Sequence, residues 1–294
     1  MHIPKVLVLG ATGRIGTILR KRWPQDPGWG AIRDQVTWQT RQVAAGLGPG
    51  WCGLDPVRQP EVLAQAATGQ TVILCLAGVV TARAPGSDLG DNVTLAEAAI
   101  RAAAGTRARV ILASSAAVYG NQAGVLDEAA ALAPQNAYGR AKAAMEARGA
   151  ALGAELGVPV TSLRIGNIAG IDAILGGWRP GFRLDQFADG RTPRRSYIGM
   201  LSLARVLGDL VRADQLPGIL NVATPGMVEM GALLDAAGLA WTPQPAPDSA
   251  ISEVCLSTLA LERFTSLSET EGQAAEMVRQ WRLLEPVSRD ETHQ

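Results

Sequence analysis

The sequence predicts an α/β protein, a doubly wound parallel sheet followed by a smaller C-terminal lobe. Three observations predict it. A short apolar run near the start, Val6-Leu7-Val8-Leu9, ends in the turn Gly10-Ala11-Thr12-Gly13-Arg14-Ile15-Gly16. Similar runs recur at 71–76, 110–113 and 160–165, with longer helical segments between them. Continuous apolar runs of this length are the pattern of strands buried on both faces. Beyond residue 167 the pattern gives way to glycine-, proline- and arginine-rich stretches. Residues 1–167 are accordingly read as the sheet domain, completed by a strand near 219–223, and residues 168–294 as mainly a substrate-binding lobe.

The first element is a strand, a glycine turn and a helix reaching through Ile18 and Leu19 to Trp23. In that arrangement backbone N–H groups and a helix N-terminus receive a pyrophosphate, so a nucleotide site is expected here, and with it a sheet of the Rossmann type. The second strand is expected over 35–38. In such folds an acidic residue just past it takes the adenosine ribose 2′-OH, whereas an arginine accommodates a 2′-phosphate. No Asp or Glu occurs between Gln35 and Gly53, while Arg41 stands in place and Arg14 sits in the glycine turn. This favours NADP(H) over NAD(H), the plain alternative being that Arg41 is a solvated loop residue.

Gly10, Arg41, Ala77, Ser115 and Gly166 all fall at or just after strand ends. Ligands of open parallel sheets bind beyond the carboxyl ends of the strands, so one crevice collects them. Helices are expected over 94–104 and 138–151, both rich in alanine, which good helix propensity explains. Close packing on the sheet or across a homodimer axis is the other reading. In the C-terminal part, Arg179, Arg183, Arg191, Arg194 and Arg195 outnumber Asp172, Asp185 and Asp189. An arginine among them facing the crevice would hold a phosphate or carboxylate of a small-molecule substrate. A helix entered by a short strand is expected over 196–211, another helix over 230–237, an extended linker over 243–247 and a last helix over 271–284.

Composition excludes several functions. Lys+Arg and Asp+Glu both number 27 in 294 residues, so no net charge recruits nucleic acid or an anionic membrane. No apolar run approaches the roughly 18 residues of a membrane span, and the N-terminus shows no cleavage site; a cytoplasmic protein is expected. Cys52, Cys75 and Cys255 give neither a disulfide framework nor a zinc spacing. His2 and His293 stand at the two ends, which leaves proton chemistry to Tyr, Lys, Asp, Glu or a cofactor.

Within the helix expected from residue 138, Tyr138 and Lys142 stand at i and i+4, on one helix face. A lysine ammonium beside a phenol favours the phenolate and is expected to lower the Tyr138 pKa from about 10. The pair then serves as an acid/base for a carbonyl or alcohol oxygen. Taken alone, such a spacing also describes an ordinary solvated helix face.

In order along the chain stand Gly10-x-x-Gly13-x-x-Gly16, Leu76-Ala77-Gly78, Asn92-Val93, Ser114-Ser115-Ala116-Ala117-Val118-Tyr119-Gly120, Tyr138-x-x-x-Lys142 and Leu163-Arg164-Ile165-Gly166-Asn167-Ile168-Ala169-Gly170. With these pieces the chain resembles the extended short-chain dehydrogenase/reductase family, the NAD(P)-dependent epimerase/dehydratase group. The resemblance is strong over 6–170, fair over 194–238 and weak elsewhere. It implies that Tyr138 is the acid/base and that Lys142 lowers its pKa and binds the nicotinamide ribose. It implies that Ser115 holds the substrate oxygen and that Gly10, Gly13 and Ile15 lie along the pyrophosphate. Ala77 and Gly78 would flank the adenosine side, Asn92 would support the active site, and Asn167 would touch the substrate.

The implied function is hydride transfer at a hydroxyl or carbonyl of a sugar or nucleotide sugar, as an epimerase or a reductase. Ala116 and Ala117 follow Ser115 where dehydratases of the family carry an acidic pair, which points away from dehydration. The missing acidic residue after the second strand points away from an epimerase that keeps NAD. Two other functions remain open on sequence: an NADPH-dependent carbonyl reductase of a non-sugar ketone or aldehyde, and a catalytically silent dinucleotide-binding sensor or assembly factor.

Overall fold

A computed structural model of the chain describes residues 4–26, 35–41, 48–80 and 88–284. Its centre is a seven-stranded sheet formed by β1 (Val6–Leu9), β2 (Val36–Thr40), β3 (Trp51–Gly53), β4 (Val72–Cys75), β5 (Arg109–Ser115), β6 (Val160–Ile165) and β7 (Ile219–Val222). The strands lie in the order β7-β6-β5-β4-β1-β2-β3. Every neighbouring pair is parallel. The order reverses between β1 and β4, and at such a switch point the connections leave to opposite faces and open a crevice. The helices are α1 (Arg14–Arg22), α2 (Pro60–Ala67), α3 (Asp91–Ala103), α4 (Ala137–Leu156), α5 (Met200–Arg212), α6 (Met230–Ala236) and α7 (Ala274–Leu284).

Alternation along the strands explains why their apolar runs are continuous. On β1, Val6 and Val8 face a core shared with Ile18 and Leu19 of α1 and Leu203, Val206 and Leu207 of α5. Leu7 and Leu9 face the other side, against Leu63 of α2, Ile100 of α3 and Leu152 of α4. Period-two side chains with both faces covered must be apolar at every position. The alanines of α3 find a use here: Ala96, Ala99, Ala102 and Ala103 are buried in this second core.

The C-terminal part builds a third core from Leu184, Tyr197, Leu233, Leu234, Met277 and Val278. A four-stranded sheet ties it to the first part, ordered Val228–Glu229, Arg194–Arg195, Glu253–Leu256, Val125–Leu126. Two expectations are corrected here. The proline-rich stretch is not a free linker: Thr242–Pro245 is a strand paired in parallel with Arg183–Gln186. Proline lacks an N–H but is tolerated in a two-stranded edge arrangement. The last helix begins at Ala274, because Ser268 and Glu271 form a capping box on a separate 3-10 turn over Glu269–Gly272. The strand Trp51–Gly53 was not legible as an apolar run; β2 recruits it through Trp38, Gln39 and Thr40. No described helix is long and apolar enough to cross a membrane.

Candidate active site

The glycine turn leaves β1 with Gly10 at φ +81, a conformation that favours glycine. A Cβ there would lie 2.7 Å from the backbone N of Ala77, so the β1 and β4 loops close on each other only because none is present. Gln39 locks this corner: its Oε1 accepts the Gly10 N–H at 2.9 Å and its Nε2 donates to the Leu54 carbonyl at 2.7 Å. Gly16 is buried in the first turn of α1. Gly13, Arg14 and Ile15 line a cavity of about 650 Å³ at the carboxyl ends of the strands.

The same cavity is lined by Gly78, Ser115, Tyr138, Lys142 and Asn167. Ser115 ends β5 and caps the following 3-10 turn, its Oγ accepting from the Ala117 N–H at 3.2 Å. Asn136 caps α4 by accepting from the Gly139 N–H at 2.8 Å. Gly139 lets the two caps approach, since a Cβ on it would run into the Ala117 carbonyl. Tyr138 is thereby brought to the same cavity wall as Ser115, near enough for the Ser115 hydroxyl to favour the phenolate.

The electrostatics correct one expectation. The Tyr138 pKa is raised, not lowered: burial disfavours the phenolate, and the nearby Ser115 hydroxyl and the charge of Arg14 only partly oppose it. Lys142 does not reach the hydroxyl. Its Nζ donates to the Ala113 carbonyl at 2.7 Å and stands 5.9 Å from the Tyr138 ring centroid. Burial pushes the Lys142 pKa down to about 8, against the opposing pull of Cys75 and Glu146. Four residues from Lys142, Glu146 is itself buried in a pair with Arg164, at 2.8 Å, and accepts the Ser114 hydroxyl.

Gly78 keeps the space before Lys142 open. A Cβ on it would come to 3.2 Å from Nζ and 2.7 Å from Asn92 Oδ1. Asn92 is fully buried behind this wall, where its Nδ2 donates to the Val79 carbonyl and its Oδ1 accepts the Val79 N–H. It holds the β4 loop from behind and does not line the cavity. Neither do Gly10, Gly16 and Ala77, which shape the turn. Arg41 is exposed just past β2, outside the cavity lining.

Two side chains join the site that motif reading did not single out. Asp172 lines the cavity; its Oδ2 accepts the Tyr197 hydroxyl at 2.9 Å, and burial raises its pKa. Tyr197 also pairs with Asn167 in a short parallel ladder, so Asp172 and Asn167 are both positioned by one residue. The other is Arg195. Beyond Ser115 and Asn167 opens a second space of about 220 Å³, lined also by Ala117, Asn136 and Arg195. Arg195 borders a further one of about 410 Å³ with Phe182, Arg183 and Gln244. Its guanidinium donates to the carbonyls of Arg194, Ile251 and Ser252, and burial lowers its pKa. Arg191 and Arg194 are instead engaged with Asp189 and Glu253. Among the described residues no group of metal-ligating side chains forms.

The arrangement fits a dinucleotide: an open glycine turn at one end, a side-chain-free wall at Gly78 and a Ser-Tyr-Lys group at the other. No curated protein sequence matches the chain. Solved structures do. UDP-glucose 4-epimerase from Thermus thermophilus, in complex with NAD, is 22% identical with a TM-score of 0.71, covering 94% of this chain and 98% of its own. UDP-N-acetylglucosamine 4-epimerase from Methanobrevibacter ruminantium, in complex with UDP-N-acetylmuramic acid, is 20% identical with a TM-score of 0.72, covering 96% and 99%. The dTDP-glucose 4,6-dehydratase from Streptomyces venezuelae, with NAD bound, is 20% identical with a TM-score of 0.70, covering 95% and 97%. The model of the NAD dependent epimerase/dehydratase family matches residues 6–174, more than half of the 294. The chain belongs to the NAD dependent epimerase/dehydratase family.

Proposed function

We propose that the protein is an NAD(P)-dependent enzyme of the extended short-chain dehydrogenase/reductase type that oxidises, reduces or epimerises a nucleotide-sugar carbinol or carbonyl. The observation that carries this is the convergence of Ser115, Tyr138 and Lys142 on the 650 Å³ cavity of the glycine turn, with Ser115 also bordering the 220 Å³ space beyond. Residues 1–167, with the returning strand Ile219–Val222, hold the dinucleotide, and residues 168–294 mainly hold substrate. The substrate class follows the structural neighbours, two of which are named as UDP-sugar epimerases.

Gly10, Gly13, Arg14, Ile15 and Gly16 shape and line the pyrophosphate end; Lys142 faces the nicotinamide ribose. Gly78, where a Cβ would come to 3.2 Å from Lys142 Nζ, borders that ribose in this reading rather than the adenosine side expected from sequence. When bound, a nicotinamide dinucleotide supplies a hydride acceptor or donor at the Tyr138 end. Ser115 orients the substrate oxygen. Tyr138, a phenol that burial holds further towards its protonated form, gives that oxygen a proton on reduction and takes one on oxidation. Asn167, fixed through Tyr197, and Arg195 hold the rest of the substrate, Arg195 facing a phosphate. Ala116 and Ala117 offer no acid for a dehydration step.

NADP(H) is the preferred cofactor in this reading. Arg41 follows β2, and the nearest carboxylate beyond β3, Asp55, is occupied by the N–H groups of Val57 and Arg58. Replacing Tyr138 with Phe tests the whole proposal. Turnover of UDP-sugars should fall by about three orders of magnitude while cofactor binding persists. Undiminished turnover would exclude Tyr138 as the acid/base.

A further inference from the structure

Behind the glycine turn lies a cavity of about 670 Å³, as large as the one assigned to the dinucleotide. One wall is the outer face of α1, where Arg14 and Lys21 stand two turns apart on the same side. The opposite wall is apolar, formed by Trp178, Leu239 and Trp281. Among the described residues no acidic side chain lines it. Both cations rest on carbonyls: Lys21 Nζ donates to Leu284 at 3.0 Å and Arg14 Nη1 to Ile171 at 2.6 Å. Carbonyls satisfy donors but carry no charge, and among the described residues neither cation has a counter-ion. Trp178 spends its indole N–H on the Ala240 carbonyl at 2.9 Å, so the surface it gives the cavity is carbon.

We propose that this cavity is a second ligand site, for a small monoanion with a flat apolar body, such as an aromatic carboxylate. The ring lies against Trp178 and Trp281, and the carboxylate meets Lys21 and Arg14. Two indoles give area and little lost entropy, and two cations with no opposing carboxylate among the described residues select an anion over a neutral ring.

The site is joined to the first one. Gly13, Arg14 and Ile171 line both cavities, and the bond from Arg14 to the Ile171 carbonyl forms part of the partition. A carboxylate that draws the Arg14 guanidinium outward changes the wall beside Tyr138. Ligand and dinucleotide then alter each other's affinity by one common factor. This coupling, unlike the site, rests on the dinucleotide reading of the first cavity.

Calorimetric titration with 1-naphthoate tests it, on cofactor-free protein and on protein saturated with NADPH. The expected result is saturable binding of one molecule per chain in both, with affinities that differ. Lys21→Gln, an exposed change, should weaken 1-naphthoate about tenfold and leave the uncharged 2-naphthylmethanol unaffected. Trp178→Leu should weaken both probes. Absence of saturable binding, competitive displacement of 1-naphthoate by NADPH, or indifference to Lys21→Gln would overturn the proposal. If NADPH itself does not bind, the dinucleotide reading fails, and the second site is still judged on the cofactor-free titration.

Discussion

The Glu146 carboxylate and the Arg164 guanidinium meet 2.8 Å apart with almost no exposure, one helical turn behind Lys142. Arg164 also donates to the Tyr119 hydroxyl at 3.0 Å and to the Glu128 carbonyl, while Ser114 donates to Glu146. The pair therefore fastens α4, which carries Tyr138, to β5 and β6, which carry Ser115 and lead into Asn167. Breaking a buried pair leaves an uncompensated charge. Arg164→Met should lower stability by about 3–5 kcal/mol. Adding Glu146→Gln should recover a large part of that, because the stranded carboxylate is gone. Urea unfolding of both variants measures this; equal losses in the single and double variants would show that the charge is not the cause.

Lys142 sets a pH signature. Unfolded, its ammonium keeps its proton to about pH 10.4; buried, it releases it near 8. Between those values the unfolded chain binds more protons, so this residue makes stability rise with pH. From pH 7.5 to 9.5 the wild type should gain roughly 2 kcal/mol on Lys142→Met. The comparison matters, since the raised pKa of Cys75, about 11, works in the opposite direction. On the proposed placement of the ribose beside Lys142, dinucleotide affinity should fall over the same interval, as that charge is lost. A stability gap that stays constant with pH would place the Lys142 pKa in its ordinary range.

What the sequence disclosed follows a physical division. The i, i+4 spacing of Tyr138 and Lys142 and the apolar runs of the sheet are local patterns, and the helix and strands form where they indicate. The direction of the Tyr138 pKa was not legible, because burial is a tertiary property: Ala113, Ile165 and Ile168, distant in sequence, line the same cavity as Tyr138. Arg164 and Glu146 read as unrelated charges until α4 lies on β6. Arg195 could not be told from Arg194, since one residue on a strand turns a side chain to the other face. The pairing of 242–245 with 183–186 joins segments that carry no apolar alternation, and so it left no trace in the sequence.

In the NADP(H) reading, cofactor choice turns on Arg41. Titration of NADPH and NADH against the protein should show NADPH bound more tightly, and Arg41→Ala should reduce that preference about tenfold, the worth of one charge-assisted contact to a 2′-phosphate. Because Arg41 is exposed and stands outside the core, the substitution should leave thermal stability unchanged. A wild type that prefers NADH, or a variant with an unaltered ratio, would return Arg41 to the status of a solvated loop residue.

Arg195 distinguishes a phosphate-bearing substrate from a plain carbonyl compound. It is held by backbone carbonyls between two spaces, one bordering Ser115 and the other lined by Phe182 and Gln244. Burial works against its charge, and a bound phosphate relieves that. Arg195→Ala should raise KM for a UDP-sugar about 10- to 100-fold, with a smaller change in kcat. Arg195→Lys should restore part of the loss, keeping the charge without the fork. A phosphate-free ketone offered to wild type and variant should be turned over alike. Equal impairment on both substrates would assign Arg195 to holding the chain at 251–252, and the nucleotide-sugar reading would lose its phosphate contact.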